Sequence, residues 1–362
     1  MIRRFTPLLV LTTILLVQMD LGRLPSSQVP ILELVQNYMA QEHQNSVEGQ
    51  LTPYFKDTIS PNTPVKEHGQ LRLEGNRLVN QNGAPLQLRG MSLFWSQWIG
   101  KYYTYETAKW LRDDWHCNVI RLAMAVDHDG FLTNPGREKQ RILTVIDAAI
   151  ELGIYVIIDW HDHRAEDHLD ESLAFFGELA ERFGSYPNII YEPYNEPLDI
   201  SWKTTLKPYH EAVIAEIRKH DNDNLIICGT PNWSQDVEEV IGARIDDPNV
   251  MYTLHYYAAT HKQPLRDKAL MALEHGIPLF VTEYGLSQAN GDGFIDGPES
   301  RLWWEFLDEH GISHLNWSIA DKEELSAALK PGASTLGGWS PEDLTVSGTM
   351  VRDEIRKKNK KY

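Results

Sequence analysis

Short apolar runs alternate with longer amphipathic segments along most of the chain, from Leu86 onward. The short runs are rich in Val, Ile and Leu and are apolar at nearly every position, which is typical of strands covered on both faces. The longer segments place their apolar side chains at helical spacing, as expected of helices that pack on one side. The predicted strands are residues 86–92, 117–124, 154–160, 188–192, 224–229, 249–255, 277–283 and 312–318.

Predicted helices fill the intervals between these strands, and several end in Gly, which favours the left-handed conformation of a helix C-cap. Parallel strands are joined by right-handed crossovers, and eight such units can close into a barrel. We therefore predict the α/β class and a single (β/α)8 TIM barrel. The helices are predicted at residues 105–114, 138–153, 171–184, 266–276, 299–311 and about 341–358.

A short β-hairpin is predicted ahead of the barrel. Two β-type runs, residues 70–79 and 86–92, flank the sequence NQNG at residues 80–83. Asn-Gly is a favoured turn between antiparallel strands. We therefore expect the hairpin to turn at residues 80–83.

The amino terminus has the layout of an export signal, with a charged start followed by an apolar run. We expect residues 1–17 to be a signal peptide or signal anchor and residues 18–65 to be a polar tether. The barrel domain is expected over residues 66–358 and a basic tail over residues 359–362. The protein is therefore expected to be secreted or periplasmic, or anchored by the amino-terminal segment if that segment is retained.

Composition narrows the range of partners. The chain has 51 acidic and 34 basic side chains and a formal net charge of -17, which repels nucleic acid and anionic lipid. We expect no nucleic-acid partner, no membrane contact other than through the amino-terminal segment, and a monomer. Cys117 and Cys228 are predicted to be buried free thiols, because no disulfide framework or CxxC metal spacing is present.

The segment NIIYEPYNEP, residues 188–197, contains two glutamates. A barrel strand rises about 3.3 Å per residue, which would place Glu192 about 13 Å below Glu196, in the packed interior. Pro193 cannot donate to a sheet, so the strand should end near it and leave Glu196 in the loop at the mouth. We predict Glu196 as the working carboxylate and Glu192 as a buried, hydrogen-bonded structural acid.

A second carboxylate is expected on the opposite wall of the barrel. Strands four and seven of an eight-stranded barrel face each other across about 14 Å, so two inward glutamates would bring their carboxyl groups about 5 Å apart. Glu283, which ends the run FVTE, is the predicted partner. That separation is typical of a retaining glycoside hydrolase. Arg121 and the Tyr257 hydroxyl would favour the anion of Glu283, whose charge would hold a proton on Glu196.

Seven segments occur in a characteristic order: NVIRLAM, IIDWHDH, IIYEPYNEP, TPNWSQD, LHYYAATH, FVTEYG and NWSIADKEELSAAL. Together they resemble glycoside hydrolase family 5 (cellulase family A), in its bacterial endo-β-1,4-glucanase branch, over about residues 66–358. The resemblance implies a retaining, endo-acting enzyme that cleaves β-1,4-glucosidic bonds in cellulose and related β-glucans without a cofactor. It also implies Glu196 as the acid/base and Glu283 as the nucleophile.

The same resemblance implies roles for further residues. Asn195 matches the residue that contacts the 2-hydroxyl of the sugar being cleaved, and Arg121 and Tyr257 match residues that support the nucleophile. Phe94 and Ala125 depart from the pattern, because some relatives have His and Tyr there, so glycone contacts in the first two loops stay open. The remaining matches are His161 and His255 lining that subsite, Trp317 as its platform, Trp98 and Trp233 as stacking residues along the cleft, and Lys322 and Glu324 as glycone-side contacts.

Other interpretations stay open at this point. The catalytic set does not read every hydroxyl, so β-mannan or another β-1,4-glycan is an alternative substrate. A catalytically silent glycan-binding barrel is a remote alternative. The run His161-Asp162-His163 has metal-chelating spacing, but the strand-end acids are already paired, so we predict no metal. The acidic segment 127–129 is predicted to be a solvated loop rather than a calcium site.

Overall fold

The computed structural model of the protein describes residues 62–362. The predicted signal segment and nearly all of the predicted tether lie outside these residues and stay predictions. The described chain opens with helix α1, Pro64–His68, so the end of the stretch assigned to the tether is helical. Thr63 caps this helix by accepting the amide hydrogen of Lys66. Within the described range, no helix is long and apolar enough to cross a membrane.

An antiparallel hairpin precedes the barrel, as predicted, but its main strand pair turns at a different place. Strand β1, Arg72–Glu74, pairs with β2, Arg77–Val79, around a tight turn at Gly75, which supplies a φ of 66°. The predicted turn at residues 80–83 also forms, yet the chain beyond it makes a single bridge at Pro85. Two backbone hydrogen bonds flank this bridge, from Asn80 N to Ala84 O at 2.9 Å and from Leu86 N to Leu78 O at 3.0 Å. The predicted hairpin is thus present, with its main strand pair joined at Gly75 and a single bridge across the predicted turn at 80–83.

Eight parallel strands close into a barrel, as the apolar runs predict. Neighbours follow chain order, and the last strand pairs with the first. Nearly every residue of these strands is buried, which explains why the runs lack the alternating pattern of a one-sided sheet. The strands are β3 Arg89–Leu93, β4 Val119–Ala125, β5 Tyr155–His161, β6 Ile189–Glu192, β7 Leu225–Cys228, β8 Val250–Tyr257, β9 Leu279–Gly285 and β10 His314–Ile319.

All the predicted helices are present, and the last is split into a short 3-10 turn and an α-helix. The longer helix before β7 was not predicted, because Pro208 resembles a helix breaker in the sequence. In the structure Pro208 lies in the first turn of this helix, which continues directly from the π-helix Trp202–Leu206. The helices are α2 Ser96–Ile99, α3 Tyr105–Asp113, α4 Pro135–Leu152, α5 Leu169–Phe183, α6 Lys207–Ile217, α7 Gln263–Glu274, α8 Gly297–His310 and α9 Val346–Lys358.

Short irregular helices complete the connections. Gly153 and Gly311 end α4 and α8 in the left-handed conformation, each with a φ of 66°, as the predicted C-caps require. Gly184, which follows α5, is instead right-handed. The 3-10 helices are Gly100–Tyr102, Ala165–His168, Val237–Val240 and Pro341–Asp343, and a π-helix spans Trp202–Leu206.

The amino end of the barrel is closed by apolar side chains. Leu71 and Leu78 of the hairpin region pack against inward-facing residues of the barrel strands, including Ile157, Ile190 and Phe280. All five side chains are almost completely buried. The hairpin therefore plugs the floor of the barrel, and polar chemistry is left to the opposite end.

A second core lies between the barrel and its surrounding helices. It contains Cys117 and Cys228, and both are buried free thiols, as predicted. Burial raises the pKa of each thiol above its usual value. The two cysteines are therefore packing residues.

Candidate active site

Arg121 is the centre of a buried charged cluster near the carboxyl ends of the barrel strands. It lies within β4 and is inaccessible to solvent. Its Nε atom donates to Glu192 Oε2 at 2.7 Å, and its Nη1 atom donates to Glu283 Oε2 at 3.0 Å. Its Nη2 atom donates to Asn195 Oδ1 at 2.6 Å and lies 2.9 Å from Asp159 Oδ2. One planar guanidinium therefore fixes side chains from three other strands or their loops.

The two glutamates of the segment 188–197 lie in different environments. Glu192, the last residue of β6, is fully buried and accepts hydrogen bonds from Arg121 and from Thr282. The prediction of a buried structural acid is confirmed for Glu192. Glu196 lies in the following loop, where its side chain is 15% exposed and lines an open cleft. Of the two carboxyl groups, that of Glu196 is the one a ligand can reach.

Glu196 and Glu283 face each other across this cleft. Oxygen atoms of the two carboxyl groups and a ring nitrogen of His255 lie within 4.8 Å of one another. This agrees with the separation of about 5 Å expected for glutamates on opposite barrel walls. The Tyr257 hydroxyl donates to Glu283 Oε1 at 2.7 Å, while Arg121 donates to the other oxygen. Both oxygens of Glu283 therefore accept hydrogen bonds, which stabilises its anion.

A β-bulge in β9 aims Glu283 and its neighbour Thr282 into the barrel. Successive side chains of a regular strand point to opposite faces. Phe280 pairs with Thr253 and Glu283 pairs with His255, so three steps along β9 match two steps along β8. A register shift occurs at the same place against β10. Because of this extra residue, two adjacent side chains both reach polar partners inside the barrel.

A chain of hydrogen bonds determines the protonation of Glu196. The Thr282 hydroxyl donates to Glu192 Oε1 at 2.6 Å, so its oxygen accepts from His255 Nε2, 2.8 Å away. Burial lowers the pKa of His255 to about 4, so the ring is neutral near pH 7 and its Nδ1 atom carries no hydrogen. Glu196 Oε1 lies 2.9 Å from this nitrogen. The carboxyl group of Glu196 can bond to it only as the donor, which requires the protonated form.

The hydrogen bonds around the two carboxyl groups decide which of them keeps a proton. Burial raises the pKa of both Glu196 and Glu283. The charge of Glu196 raises the pKa of Glu283 further, whereas Arg121 and the Tyr257 hydroxyl oppose this rise. Since like charges at this separation resist ionising together, one of the pair keeps its proton. The donors around Glu283 make it the anion and leave Glu196 as the acid.

The floor of the cleft offers a free donor and an aromatic surface. Asn195 Nδ2 is buried and has no hydrogen-bond partner within residues 62–362, so it is placed to donate to a ligand hydroxyl. Trp317 stacks on His161 with ring centroids 5.1 Å apart and an interplanar angle of 4°. His161 Nδ1 lies 2.6 Å from Asp159 Oδ2, which orients the imidazole. Asn195 and Asp159 both contact Arg121, and His161 joins Asp159 to Trp317, while the subsite roles of Asn195, His161 and Trp317 stay predictions.

The other predicted contact residues lie farther along the cleft. Trp98, after β3, is 58% exposed, and Trp233, after β7 on the opposite side of the barrel, is 44% exposed. Lys322 and Glu324 form an ion pair in the loop after β10, and Lys322 Nζ lies 4.9 Å from the centroid of the Phe94 ring. Exposed aromatic rings suit the apolar faces of sugars. The binding roles of these four predicted residues stay predictions.

Three residues of the site had no predicted role. Asp159 and Thr282 are polar residues inside otherwise apolar runs, and that exception to the pattern was the available signal. Trp95 stands edge-on to His161, with ring centroids 4.1 Å apart, and contacts Trp98 at 5.1 Å. Its neighbour Trp98 drew attention in the sequence, but nothing in the pattern distinguished Trp95.

The run His161-Asp162-His163 does not gather a set of metal ligands. His161 is bound to Asp159, and His163 Nδ1 lies 3.1 Å from the carbonyl oxygen of Glu196. Across the described residues, three converging His, Cys, Asp or Glu side chains occur in one place, and neither of these histidines belongs to it. The acidic segment 127–129 is exposed, as expected for a solvated loop.

The barrel and its opposed carboxyl groups define a class of glycoside hydrolases. Residues 79–323 match the family model described as Cellulase (glycosyl hydrolase family 5). The chain belongs to glycoside hydrolase family 5, as the seven segments predicted.

Individual relatives are bacterial. The chain is 46% identical over 298 residues to Endoglucanase 5 of Pectobacterium carotovorum subsp. carotovorum, which covers 81% of this chain and 59% of the relative. It is also 46% identical over 298 residues to Endoglucanase N of Pectobacterium atrosepticum, covering 81% of this chain and 67% of the relative. The chain thus spans about three fifths to two thirds of the length of these relatives.

Solved structures agree with this assignment. A structure from Cytophaga hutchinsonii superposes with a TM-score of 0.82 at 53% identity, covering 82% of this chain and 98% of that chain. The catalytic domain of Thermobifida fusca endoglucanase Cel5A superposes with a TM-score of 0.79 at 35% identity, covering 82% of this chain and 100% of that chain.

Proposed function

We propose that this chain is a retaining, endo-acting β-1,4-glucanase that hydrolyses cellulose and related β-glucans. The observation that carries the proposal is the opposed pair Glu196 and Glu283, whose carboxyl oxygens lie within 4.8 Å of each other in an open cleft. Carboxyl groups about 5 Å apart are typical of retaining enzymes, because no water fits between nucleophile and sugar. Membership of family 5 and the endoglucanase names of the relatives support the same activity.

In the first half-reaction, Glu283 attacks the anomeric carbon of the sugar above Trp317. Its anion is held in place by Arg121 and Tyr257, so the attacking oxygen needs little reorganisation. Glu196 delivers its proton to the glycosidic oxygen as the bond to the leaving sugar breaks. The products of this step are a glycosyl ester on Glu283 and a shortened chain with a new hydroxyl group.

In the second half-reaction, a water molecule replaces the departed sugar. The ester on Glu283 is uncharged, so the repulsion that kept the proton on Glu196 is gone and the pKa of Glu196 falls. Glu196 then takes a proton from the water, which attacks the anomeric carbon and releases Glu283. The configuration at the anomeric carbon is inverted twice and is therefore retained.

The open cleft supports cleavage within a chain rather than at its end. Trp98 and Trp233 are exposed on opposite sides of the barrel, so sugars on both sides of the scissile bond can stack on aromatic rings. A polysaccharide can enter such a cleft from the side.

A parallel assay on carboxymethylcellulose, mixed-linkage β-glucan, galactomannan and xylan tests the proposal. We expect reducing sugar from the first two substrates, a β-anomer as the first product seen by NMR, and no turnover by Glu283→Gln. Preferential turnover of galactomannan would instead favour the β-mannanase alternative. Failure to release reducing sugar from any glucan would favour the silent binding barrel.

We also propose that the enzyme acts outside the cytoplasm as a monomer. The charged and apolar start of the sequence supports export, and a polymeric substrate is too large to enter a cell. Cell fractionation with amino-terminal sequencing of the mature protein tests export, and recovery in the cytoplasm with an intact terminus would contradict it. Light scattering on the purified protein tests the oligomeric state, and a dimer mass would contradict the monomer.

A further inference from the structure

Three consecutive residues after β7 form a left-handed turn that packs on the loop after β6. Asn232, Trp233 and Ser234 have φ values of 59°, 56° and 56°. Residues other than glycine adopt this conformation rarely, and it persists only where the surrounding structure imposes it. One hydrogen bond that imposes it runs from Trp233 N to Pro197 O at 2.7 Å. Another runs from Asn232 N to Leu198 O at 3.0 Å. The turn is therefore fixed against the loop that carries the acid.

The turn brings one buried hydroxyl group to that loop. Ser234 is inaccessible to solvent, and its Oγ atom donates to the carbonyl oxygen of Asn195 at 2.8 Å. Thr230 N, 3.3 Å away, donates to the same Oγ atom, so the hydroxyl hydrogen is directed at Asn195. The carbonyl group of Asn195 belongs to the peptide bond that joins this residue to Glu196. Ser234 therefore holds the backbone unit from which the side chain of Glu196 projects.

The side chain of Asn195 is fixed by a different contact. Arg121 Nη2 donates to Asn195 Oδ1 at 2.6 Å, and both residues are almost completely buried. Loss of the Ser234 hydroxyl would leave this contact intact. The freed peptide unit would then tilt about the anchored side chain of Asn195, and the displacement would fall on Glu196.

The other backbone contacts of Glu196 are weaker. Glu196 N lies 3.4 Å from Asp162 O, which is at the long limit for a hydrogen bond. His163 Nδ1 lies 3.1 Å from Glu196 O, but the His163 side chain is 37% exposed. Water competes for an exposed hydrogen bond, whereas the bond from Ser234 is shielded from it. Of these three contacts, the one made by Ser234 is both short and buried.

We propose that Ser234 is a positioning residue for the acid/base Glu196. Its hydroxyl group keeps the carboxyl group of Glu196 within reach of the glycosidic oxygen. It acts through the backbone, because a residue without solvent access cannot touch a substrate. General acid catalysis requires a proton donor about 3 Å from its acceptor, and small displacements of a catalytic group are costly. The proposal rests on the proposed glucanase function and adds a residue that sets the rate of its acid-dependent step.

The test compares two substrates that differ in their need for an acid. Cellohexaose releases a sugar alkoxide, which needs the proton of Glu196, whereas 2,4-dinitrophenyl β-cellotrioside releases a stable phenolate, which does not. The ratio kcat/KM reports the steps up to formation of the glycosyl ester on Glu283. We expect Ser234→Ala to lower kcat/KM for cellohexaose about tenfold and to change kcat/KM for the aryl substrate by less than about twofold. A packing defect would instead lower both values alike.

Two further variants separate the hydroxyl group from other effects of the substitution. Ser300→Ala is the matched control, because Ser300 is also buried and donates its hydroxyl to a backbone carbonyl, that of Asp296, at 2.7 Å. It should lose a similar fraction of the free energy of unfolding in urea and keep wild-type kcat/KM on both substrates. Ser234→Gly adopts the left-handed conformation without strain but lacks the hydroxyl group, so it should show the same selective loss as Ser234→Ala.

The outcomes distinguish this proposal from the function on which it rests. Equal losses on the two substrates, or no loss on cellohexaose, in Ser234→Ala and Ser234→Gly overturn the positioning role. The glycine variant decides alone if the alanine variant does not fold. A wild-type enzyme that cleaves neither substrate refutes the glucanase function instead.

Discussion

The two ends of the barrel solve opposite problems. At the amino end, the hairpin buries Leu71 and Leu78 on apolar side chains of the barrel strands. At the carboxyl end, Arg121 and three carboxylates from different strands share a space with almost no solvent. Burying charges is unfavourable even when they are paired, and it removes side chains that could have packed. The comparison shows that the apolar packing that stabilises the barrel is concentrated at its amino end, whereas the reactive groups are concentrated at its carboxyl end.

The largest expected effect is a loss of activity caused by a substitution at the carboxyl end of the barrel, where the active site lies. Glu283→Gln removes the nucleophile and should lower kcat by about 10⁴-fold or more, since no other group can form the glycosyl ester. The free energy of unfolding should not fall, because the substitution removes a carboxylate whose pKa burial raises. Steady-state assays and urea denaturation on the same preparation measure both. If Glu283→Gln lowered the free energy of unfolding as well as kcat, then the active-site end of the barrel would also contribute to stability, and the prediction would be contradicted.

The converse experiment is a substitution in the apolar cluster at the amino end of the barrel. Leu78→Ala removes a buried side chain from the plug and should lower the free energy of unfolding by about 2–5 kcal/mol. The site at the other end of the barrel should be unchanged, so kcat/KM at 25 °C should stay close to the wild-type value. Urea denaturation measures the first quantity and initial rates measure the second. Leu78→Met, which preserves volume, is the control and should lose much less stability.

A smaller loss of activity should test how Thr282 and His255 hold the proton on Glu196. Thr282→Val removes the hydroxyl that fixes the hydrogen on His255 Nε2, so Nδ1 is no longer reserved as an acceptor for Glu196. The proton on Glu196 should then be held less firmly, and kcat/KM at pH 7 should fall about tenfold. The alkaline limb of the pH profile should move to lower pH. Thr282→Ser keeps the hydroxyl and should restore the profile, whereas a uniform loss at every pH would point to a packing defect.

The smallest expected effect is the pH dependence of stability. The pKa of Glu283 in the folded state is raised above its ordinary value of 4.5 by burial and by Glu196. Its contribution to stability is therefore fully present below about pH 4.5 and is lost as pH rises through the folded-state pKa. Glu283→Gln should consequently melt about 2 °C above the wild type at pH 7 but close to it at pH 4. Calorimetry in both buffers checks this, and a gap that widens toward acid would reverse the assignment.

Much of the fold could be predicted because strands that are buried on both faces have runs of apolar residues in the sequence. Most of the eight strands appear as continuous apolar runs, and the facing positions of Glu196 and Glu283 follow from the regular geometry of the barrel. The helix Lys207–Ile217 was missed because Pro208 has the same appearance in a helix start as in a loop. The turn at Asn-Gly was predicted and forms, but the turn at Gly75, which joins the longer strand pair, was not recognised.

The finer details of the site could not be predicted, because they depend on departures from regular geometry. Strict alternation would place Thr282 and Glu283 on opposite faces, and only the bulge in β9 brings both inside. The partners of Asp159 depend on three-dimensional neighbours that lie far away in the sequence. Trp95 differs from any other aromatic residue only through the cleft beside it.

The left-handed turn after β7 has a mechanical consequence. The Trp233 amide donates to the carbonyl oxygen of Pro197, and the Asn232 amide donates to that of Leu198. These hydrogen bonds join the loop that carries Trp233 to the loop that carries the proton donor, Glu196. Thermal displacement of either loop would carry both groups together. A sugar stacked on Trp233 would therefore keep a constant distance from the carboxyl group of Glu196 while the loops around the cleft move.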